Sequence, residues 1–394
     1  MTVHYELPTA SDFRALAGEH HPAVTIYAST APIVSERERA ATAVKSAFDE
    51  ALDRLRADGE DAAAIETLKV ERDRVLADKA VWSSLARSLA VFAAPGFNEV
   101  YVLPNRLDDA VHVGSHFTLG QLLRAPSQDQ EAFAITISSN EWALWHALPT
   151  SRAEEMPLDP NLPKNLEEAG NRDLGEPARK KGAGHGDRGT PEQDRRPEIQ
   201  DNYSKQVADA VWQELNAHDP DGKVPLFVFA AEPLLGSFLD RAHNSRRVVP
   251  VQGGPDRLNA AEIDEELRRQ LAALNVHEAK AALRGLADGS AGRVERDLAA
   301  IGRMAAEGGV ETLWFDFTTS VNGTLDLESG AIEFATSNGG GPALADGTRA
   351  GDILPQLAMM VLSRGGKVVT VRGDDLADTD WSGPAVAELR FALT

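Results

Sequence analysis

Residues 171–196 read NRDLGEPARKKGAGHGDRGTPEQDRR. The stretch is polar, punctuated by glycine and free of apolar periodicity. A strand-like segment precedes it at residues 132–146, and a helix-like one follows at 203–217. A loop longer than about 12–15 residues inside a compact domain is usually functional or disordered. The centre, residues 178–189, sets four cations, Arg179, Lys180, Lys181 and Arg188, against one anion, Asp187. Such a tip suits a polyanion such as RNA. The plain alternative is a solvated insertion with no role. With no apolar anchor and four glycines between 182 and 189, residues 170–200 are expected to be mobile.

Around the loop the pattern is α/β. AFAITIS (132–138) and WALWHA (142–147) flank Ser139, Asn140 and Glu141, which predicts a β-hairpin. Residues 202–217 put Tyr203, Val207, Ala210, Val211 and Leu215 on one helical face. PLFVFA (225–230) reads as a strand, 234–243 as a helix and 248–251 as a short strand. This makes a central α/β domain, residues 129–255, built on one sheet.

Upstream, residues 11–18 form a helix candidate capped by Ser11, and 23–28 a strand. From Ser35, Val44, Phe48, Ala51, Leu52 and Leu55 recur at helical spacing until Gly59. Ile65, Leu68, Val75 and Leu76 mark a second helix, so the pair predicts a helical hairpin. Strands are expected at 88–94 and 99–103, a helix at 118–124 and a polar linker at 125–130. The N-terminal α+β domain is thus residues 1–128.

Downstream, residues 256–394 alternate helix and strand as a third, α/β domain. Asn259 caps a helix to about Leu286; a second is expected at 293–307. Strands are expected at 310–317, 331–335, 367–372 and 387–392. A turn falls at 338–342, and an apolar helix at 353–363 ends on Gly365 and Gly366.

The 40 basic and 61 acidic residues give a net charge of −21, which argues against broad binding to nucleic acid or anionic membrane. No DNA partner is expected, and any RNA contact must be local. A hydrophobic content of 42% is enough for real cores, and without cysteine there are no disulfides or thiolate metal sites. No apolar run approaches about 18 residues, so no membrane span is expected. MTVHYELPTASDF lacks a basic region followed by an apolar core, so no signal peptide is expected; a soluble cytoplasmic protein is the default.

Strong motifs are few. There is no GxxxxGK[ST] and no GxSxG. Residues 184–189 fit GxGxxG, but no strand precedes them and no helix opens on them, so the match is compositional. His112 and His116 stand four apart in VHVGSHF, which does not read as helix, and metal is not expected.

Three segments carry a family resemblance. Residues 308–313 read GGVETL, 365–368 read GGKV, and 383–391 read GPAVAELRF. They resemble the last domain of the archaeo-eukaryotic release factor superfamily, which includes eRF1-type factors and Pelota, where matching segments resemble GAVETL and GGIAAILRF. The hairpin, long loop, helix and apolar strand resemble its middle domain, and the architecture is similar to its bacterial branch. The resemblance covers about residues 88–394.

It implies the ribosome or tRNA as partner, a translational GTPase as a further one, and no cofactor. Release factors of the superfamily carry Gly-Gly-Gln in the middle-domain loop, where it helps to position the water that cleaves the peptidyl-tRNA ester. Here Gly182, Ala183, Gly184, His185 and Gly186 fall where that tip would lie, with no Gln after them. The RNA-binding candidates are therefore Arg179, Lys180, Lys181, Gly182, Gly184, His185, Gly186 and Arg188. No catalytic residue is assigned; His185 is the one general-base candidate, set against an exposed loop histidine. The leading expectation is a ribosome- or tRNA-binding factor of stress, hibernation or rescue that hydrolyses nothing. The alternatives are a peptidyl-tRNA hydrolase with a divergent loop, and a protein-interaction scaffold.

Overall fold

The computed structural model describes residues 1–128, 130–149, 151–173, 192–242, 246–289, 292–338, 341–344 and 350–392. They divide into two compact units, Met1–Asp129 with Ala273–Thr394, and Gln130–Ala272.

The first unit begins with β1 (Thr2–His4) and α1 (Ala10–Leu16). The cap of α1 is Thr9 and not Ser11: the Thr9 backbone N–H and hydroxyl both donate to the Asp12 carboxylate at 2.7 Å. After β2 (Ala23–Ser29) come the helical hairpin α2 (Arg37–Ala57) and α3 (Ala62–Ala77) and the short α4 (Lys79–Ser83). Then follow β3 (Ser88–Ala94), β4 (Phe97–Leu103), β5 (Ala110–Gly114) and the single turn α5 (Arg124–Ser127). The five strands make one sheet in the order β1-β4-β3-β2-β5.

All seven residues of β3 are buried, because both faces of the sheet are covered. Val24, Ile26, Leu89 and Val91 pack with Val44, Phe48, Leu52 and Leu68 of the hairpin. Tyr27, Ala90 and Phe92 point the other way.

The helix expected at 118–124 does not form. Thr118 is pinned to β2 instead, its N–H donating to Thr25 Oγ1 at 3.1 Å and its carbonyl accepting from the Tyr27 hydroxyl at 2.6 Å. The helical turn comes later, at α5, inside the stretch read as linker.

The second unit holds β6 (Ala132–Ile137), β7 (Trp142–Ala147), β8 (Glu154–Glu155), α6 (Leu166–Asp173), α7 (Glu192–His218), β9 (Leu226–Ala230), α8 (Leu234–Leu239) and β10 (Val248–Gln252). The sheet order is β10-β9-β6-β7-β8. β6, β9 and β10 are parallel, and β7 returns antiparallel to β6 as the hairpin. The helix expected at 234–243 ends at Leu239.

α9 (Ala260–Gly289) follows the one-turn helix Pro255–Arg257. Asn259 caps it, its side-chain oxygen accepting from the N–H groups of Ala261 and Glu262.

The chain then completes the first unit. The helix expected at 293–307 is two elements: β11 (Val294–Glu295), paired with the last strand, and α10 (Leu298–Ala306), capped by Asp297. Next are β12 (Val310–Asp316), β13 (Asn322–Leu325), β14 (Ile332–Phe334), β15 (Thr336–Asn338), β16 (Gly341–Ala343), β17 (Gly351–Asp352), α11 (Ile353–Ser363), β18 (Lys367–Val371) and β19 (Ala385–Leu389). The sheet here is β11-β19-β12-β18, with β12 and β18 parallel.

The two ends of the chain share one core. Phe13, Tyr27, Phe92 and Phe117 lie in the same cluster as Ile301, Leu313, Phe315 and Leu357. Each such side chain contributes about 1.5–3 kcal/mol when fully buried. At its edge the Arg124 guanidinium lies 4.4 Å from the Phe317 ring centre, with Arg372 at 5.2 Å.

Candidate nucleic-acid interface

The hairpin turn after β6 is where the second unit fixes both flanks of the long loop. Ser138 closes the turn. Its N–H donates to the Glu141 carbonyl at 2.9 Å, and its Oγ accepts from the N–H groups of Asn140 and Glu141. The N–H of Leu166, the first residue of α6, donates to the Ser139 carbonyl at 3.1 Å. The Tyr203 hydroxyl of α7 donates to the Ser138 carbonyl, also at 3.1 Å. Trp142 Nε1 donates to the Pro163 carbonyl at 2.8 Å, holding the chain just ahead of α6.

Each flank has a local reason to be helical. Asn165 caps α6 by accepting from the Glu168 N–H at 2.8 Å. α7 sets Tyr203, Val207, Ala208, Val211, Trp212 and Leu215 into the apolar core of the sheet. Tyr203 is fully buried, and burial pushes its phenol far above the ordinary value, with the Asp256 and Glu141 carboxylates adding to the shift. It therefore acts as a neutral donor. At about 1.5 Å of rise per residue, α6 ends about 10 Å from its anchored start, and α7 begins about 16 Å before Tyr203.

Helix takes in both ends of the stretch expected to be a loop. Residues 171–173 belong to α6, and 192–200 to α7, so both ends of the stretch expected to be mobile are helical. α7 starts ten residues before the expected position and carries Pro197 inside it, which removes one helical hydrogen bond. Arg179, Lys180, Lys181, Gly182, Gly184, His185, Gly186 and Arg188 all lie outside the described residues, as does the GxGxxG match. What the structure brings together is the pair of helices on either side of them. Tyr203 was visible beforehand as a core position; Ser138 was not, because Ser-Asn-Glu signals a turn and nothing more.

Other polar groups of this unit are occupied structurally. Arg246 is buried and donates to Asp219 Oδ2 and the Val224 carbonyl at 2.6 Å and to the Asp219 carbonyl at 2.8 Å. His146 meets Glu131 at 2.7 Å and stacks on Phe133.

The histidine pair of the first unit is split between two environments. His112 lies on β5 opposite Thr25, and burial, with Arg54 nearby, pushes its ring below the usual value. The His116 ring lies against Gly351 and shares a hydrogen bond with Ser115 at 3.0 Å. Among the described residues, no group of three or more His, Cys, Asp or Glu side chains is placed to hold a metal ion. No helix among them is long and apolar enough to cross a membrane.

Comparison with known proteins gives a likeness for part of the chain. Residues 133–308 match the model of bacterial archaeo-eukaryotic release factor family 3. This part of the chain is similar to that family. The match takes in the hairpin, α6, α7, the parallel strands and α10. No curated protein matches the chain.

Solved structures similar to it include an archaeal translation termination factor, aRF1, at 14% identity, with 98% of this chain and 99% of that chain covered and a TM-score of 0.24. A ribosome-bound archaeal Pelota with ABCE1 is 13% identical over 78% of each chain, TM-score 0.36. Pelota of Archaeoglobus fulgidus is 16% identical over 77% of this chain and 79% of that one, TM-score 0.33.

Proposed function

We propose that this release-factor-like chain binds the ribosome or tRNA through residues 179–188, in translation stress, hibernation or rescue, and does not hydrolyse peptidyl-tRNA. The observation that carries the reading is the shared turn: Ser138 and Ser139 hold the start of α6 and the body of α7, and in the sequence the cationic segment falls between those two helices. A tip delivered to RNA needs fixed stems, since unanchored stems would add ordering entropy to every binding event. Four cations in that segment supply phosphate contacts in a chain whose net charge otherwise repels RNA. The absence of Gln after the glycines supports binding without cleavage. The division into functional domains at residues 128 and 255 belongs to the same proposal.

The test is co-sedimentation with ribosomes from the host, comparing wild type with a deletion of residues 179–189. Binding that falls sharply in the deletion supports the reading. Equal binding by both would leave the segment a passive insertion and favour the scaffold reading.

A further inference from the structure

The first unit carries an open cavity of about 290 Å³ between α1 and α11. Phe13 and Arg14 line it from α1, and Met359, Met360 and Arg364 from α11. Leu327, in the turn after β13, stands at its edge and is 53% exposed. The size is at the low end of the range for small-molecule sites. A cavity about half as large holds benzene, so this one takes an apolar body of about ten carbons.

Its charge is out of keeping with the chain. The whole sequence has 61 acidic and 40 basic residues, yet the lining contains two arginines and no carboxylate. Arg14 and Arg364 are exposed, and neither has a side-chain hydrogen bond or ion pair among the described residues. Some other surface arginines of this unit are engaged: Arg54 with Glu50, Arg72 with Asp49, Arg284 with Asp378, and Arg390 with Glu311. Arg106 and Arg303 are exposed and, like the two at the recess, carry no side-chain partner among the described residues. What sets Arg14 and Arg364 apart is that they share one apolar recess. Two free guanidiniums therefore face the rim of an apolar recess. Met359 and Met360 add adaptable thioethers, which reshape around a ligand at low strain.

We infer that this recess binds a small anionic amphiphile, a carboxylate on an apolar body. The body would lie on Phe13, Met359 and Met360, and the carboxylate would accept from Arg14 or Arg364, whose planar forks match its geometry. This site shares no residue with the segment proposed to bind RNA, so the two readings stand or fall separately.

The chain has five methionines, Met1, Met156, Met304, Met359 and Met360, so methyl-labelled methionine gives a spectrum of five signals. Octanoate is the probe, used below its micelle concentration. Met359→Leu and Met360→Leu, which conserve volume, assign the two reporting signals. Saturable shifts of the Met359 and Met360 methyls, with the other three unmoved, are the expected result. The Arg14→Gln/Arg364→Gln double variant, with an unchanged melting temperature, should bind octanoate about tenfold more weakly, the loss of one charge-assisted hydrogen bond. 1-Octanol, with the same chain and no charge, should bind wild type as weakly as octanoate binds the double variant. No shift at Met359 and Met360 at millimolar octanoate overturns the inference. So do equal shifts of all five methyls, which report general adsorption, and equal affinity of wild type and the double variant for octanoate.

Discussion

The Tyr203 hydroxyl donates to the Ser138 carbonyl across 3.1 Å, joining α7 to the turn after β6. Both groups are buried, so neither has water as a ready substitute. Tyr203→Phe keeps the ring and removes the donor, leaving the carbonyl unpaired. The expected loss is about 1–2 kcal/mol. Urea unfolding should show it as a lower midpoint at unchanged slope. A midpoint equal to wild type would mean that the bond adds nothing.

Salt dependence reports on the loop. If Arg179, Lys180, Lys181 and Arg188 each neutralise a phosphate of single-stranded RNA, the logarithm of the binding constant should fall with the logarithm of salt with a slope of roughly −3, from about −0.7 per contact. Lys180→Ala/Lys181→Ala should flatten that slope by about half and leave thermal stability nearly unchanged. A slope untouched by the double substitution would remove these lysines from the interface.

Asp352 makes stability fall as pH rises. It caps α11, with its Oδ1 accepting from the N–H groups of Val321 and Leu354 at 3.1 Å. Burial pushes its carboxyl up to about 6, above the value of 3.8 it has when unfolded. The folded chain thus holds this proton more tightly than the unfolded chain does. Stability from this group is complete below about pH 4 and lost as pH rises through about 6. Asp352→Asn keeps the accepting oxygen and carries no charge. It should stabilise the protein by about 1–3 kcal/mol at pH 8 and by little at pH 4. Melting curves of the two proteins that run parallel across that range would contradict it.

How far the sequence revealed this structure depends on the range of the interaction involved. β3 and α11 match their expected bounds because burial writes itself into a continuous apolar run or a helical stripe. β11 was hidden: two residues carry no periodicity, and only pairing with Glu388 and Ala387 makes them a strand. Thr118 looked like a helix cap because the partners that hold it, Thr25 and Tyr27, are about ninety positions away. The common core of Phe92 and Phe315 is invisible for the same reason. At the candidate site, the helical face of Tyr203 and Val207 was legible. The start of α7 was not, because Pro197 argues against a helix that extends through it.

Gly302 and Gly330 test a close approach in the first unit. A Cβ on Gly330 would lie 2.0 Å from the Gly302 carbonyl oxygen, and one on Gly302 would lie 2.4 Å from the Gly330 oxygen. Gly330 also has φ +72°. Gly59 has a similar φ of +79° with nothing near its side-chain position, so it isolates the backbone cost. Gly59→Ala should cost about 1–2 kcal/mol. Gly330→Ala should cost at least about 2 kcal/mol more, through overpacking, or abolish soluble expression. Equal melting temperatures for the two variants would show that α10 and this turn move apart freely.

Hydrolysis is the last expectation, and it is negative. Cleavage of a peptidyl-tRNA ester needs an attacking water to be positioned and its proton to be accepted. In release factors of the superfamily a Gln beside two glycines serves that end; here the sequence at 182–186 is Gly-Ala-Gly-His-Gly. His185 has the right ordinary pKa for a general base. Yet an imidazole differs from a carboxamide in shape and in donor pattern, so a water held for one is not held for the other. Labelled peptide should therefore stay on peptidyl-tRNA when purified ribosomes are mixed with this protein, at the rate of the ribosomes alone. Ala183→Gly/Gly184→Gln, in which residues 182–184 would read Gly-Gly-Gln, tests whether the missing motif is the sole obstacle: release that appears in that variant would assign the loop to the active centre. Turnover by the wild type that vanishes in His185→Ala would instead make His185 catalytic and favour the hydrolase reading over the binding one.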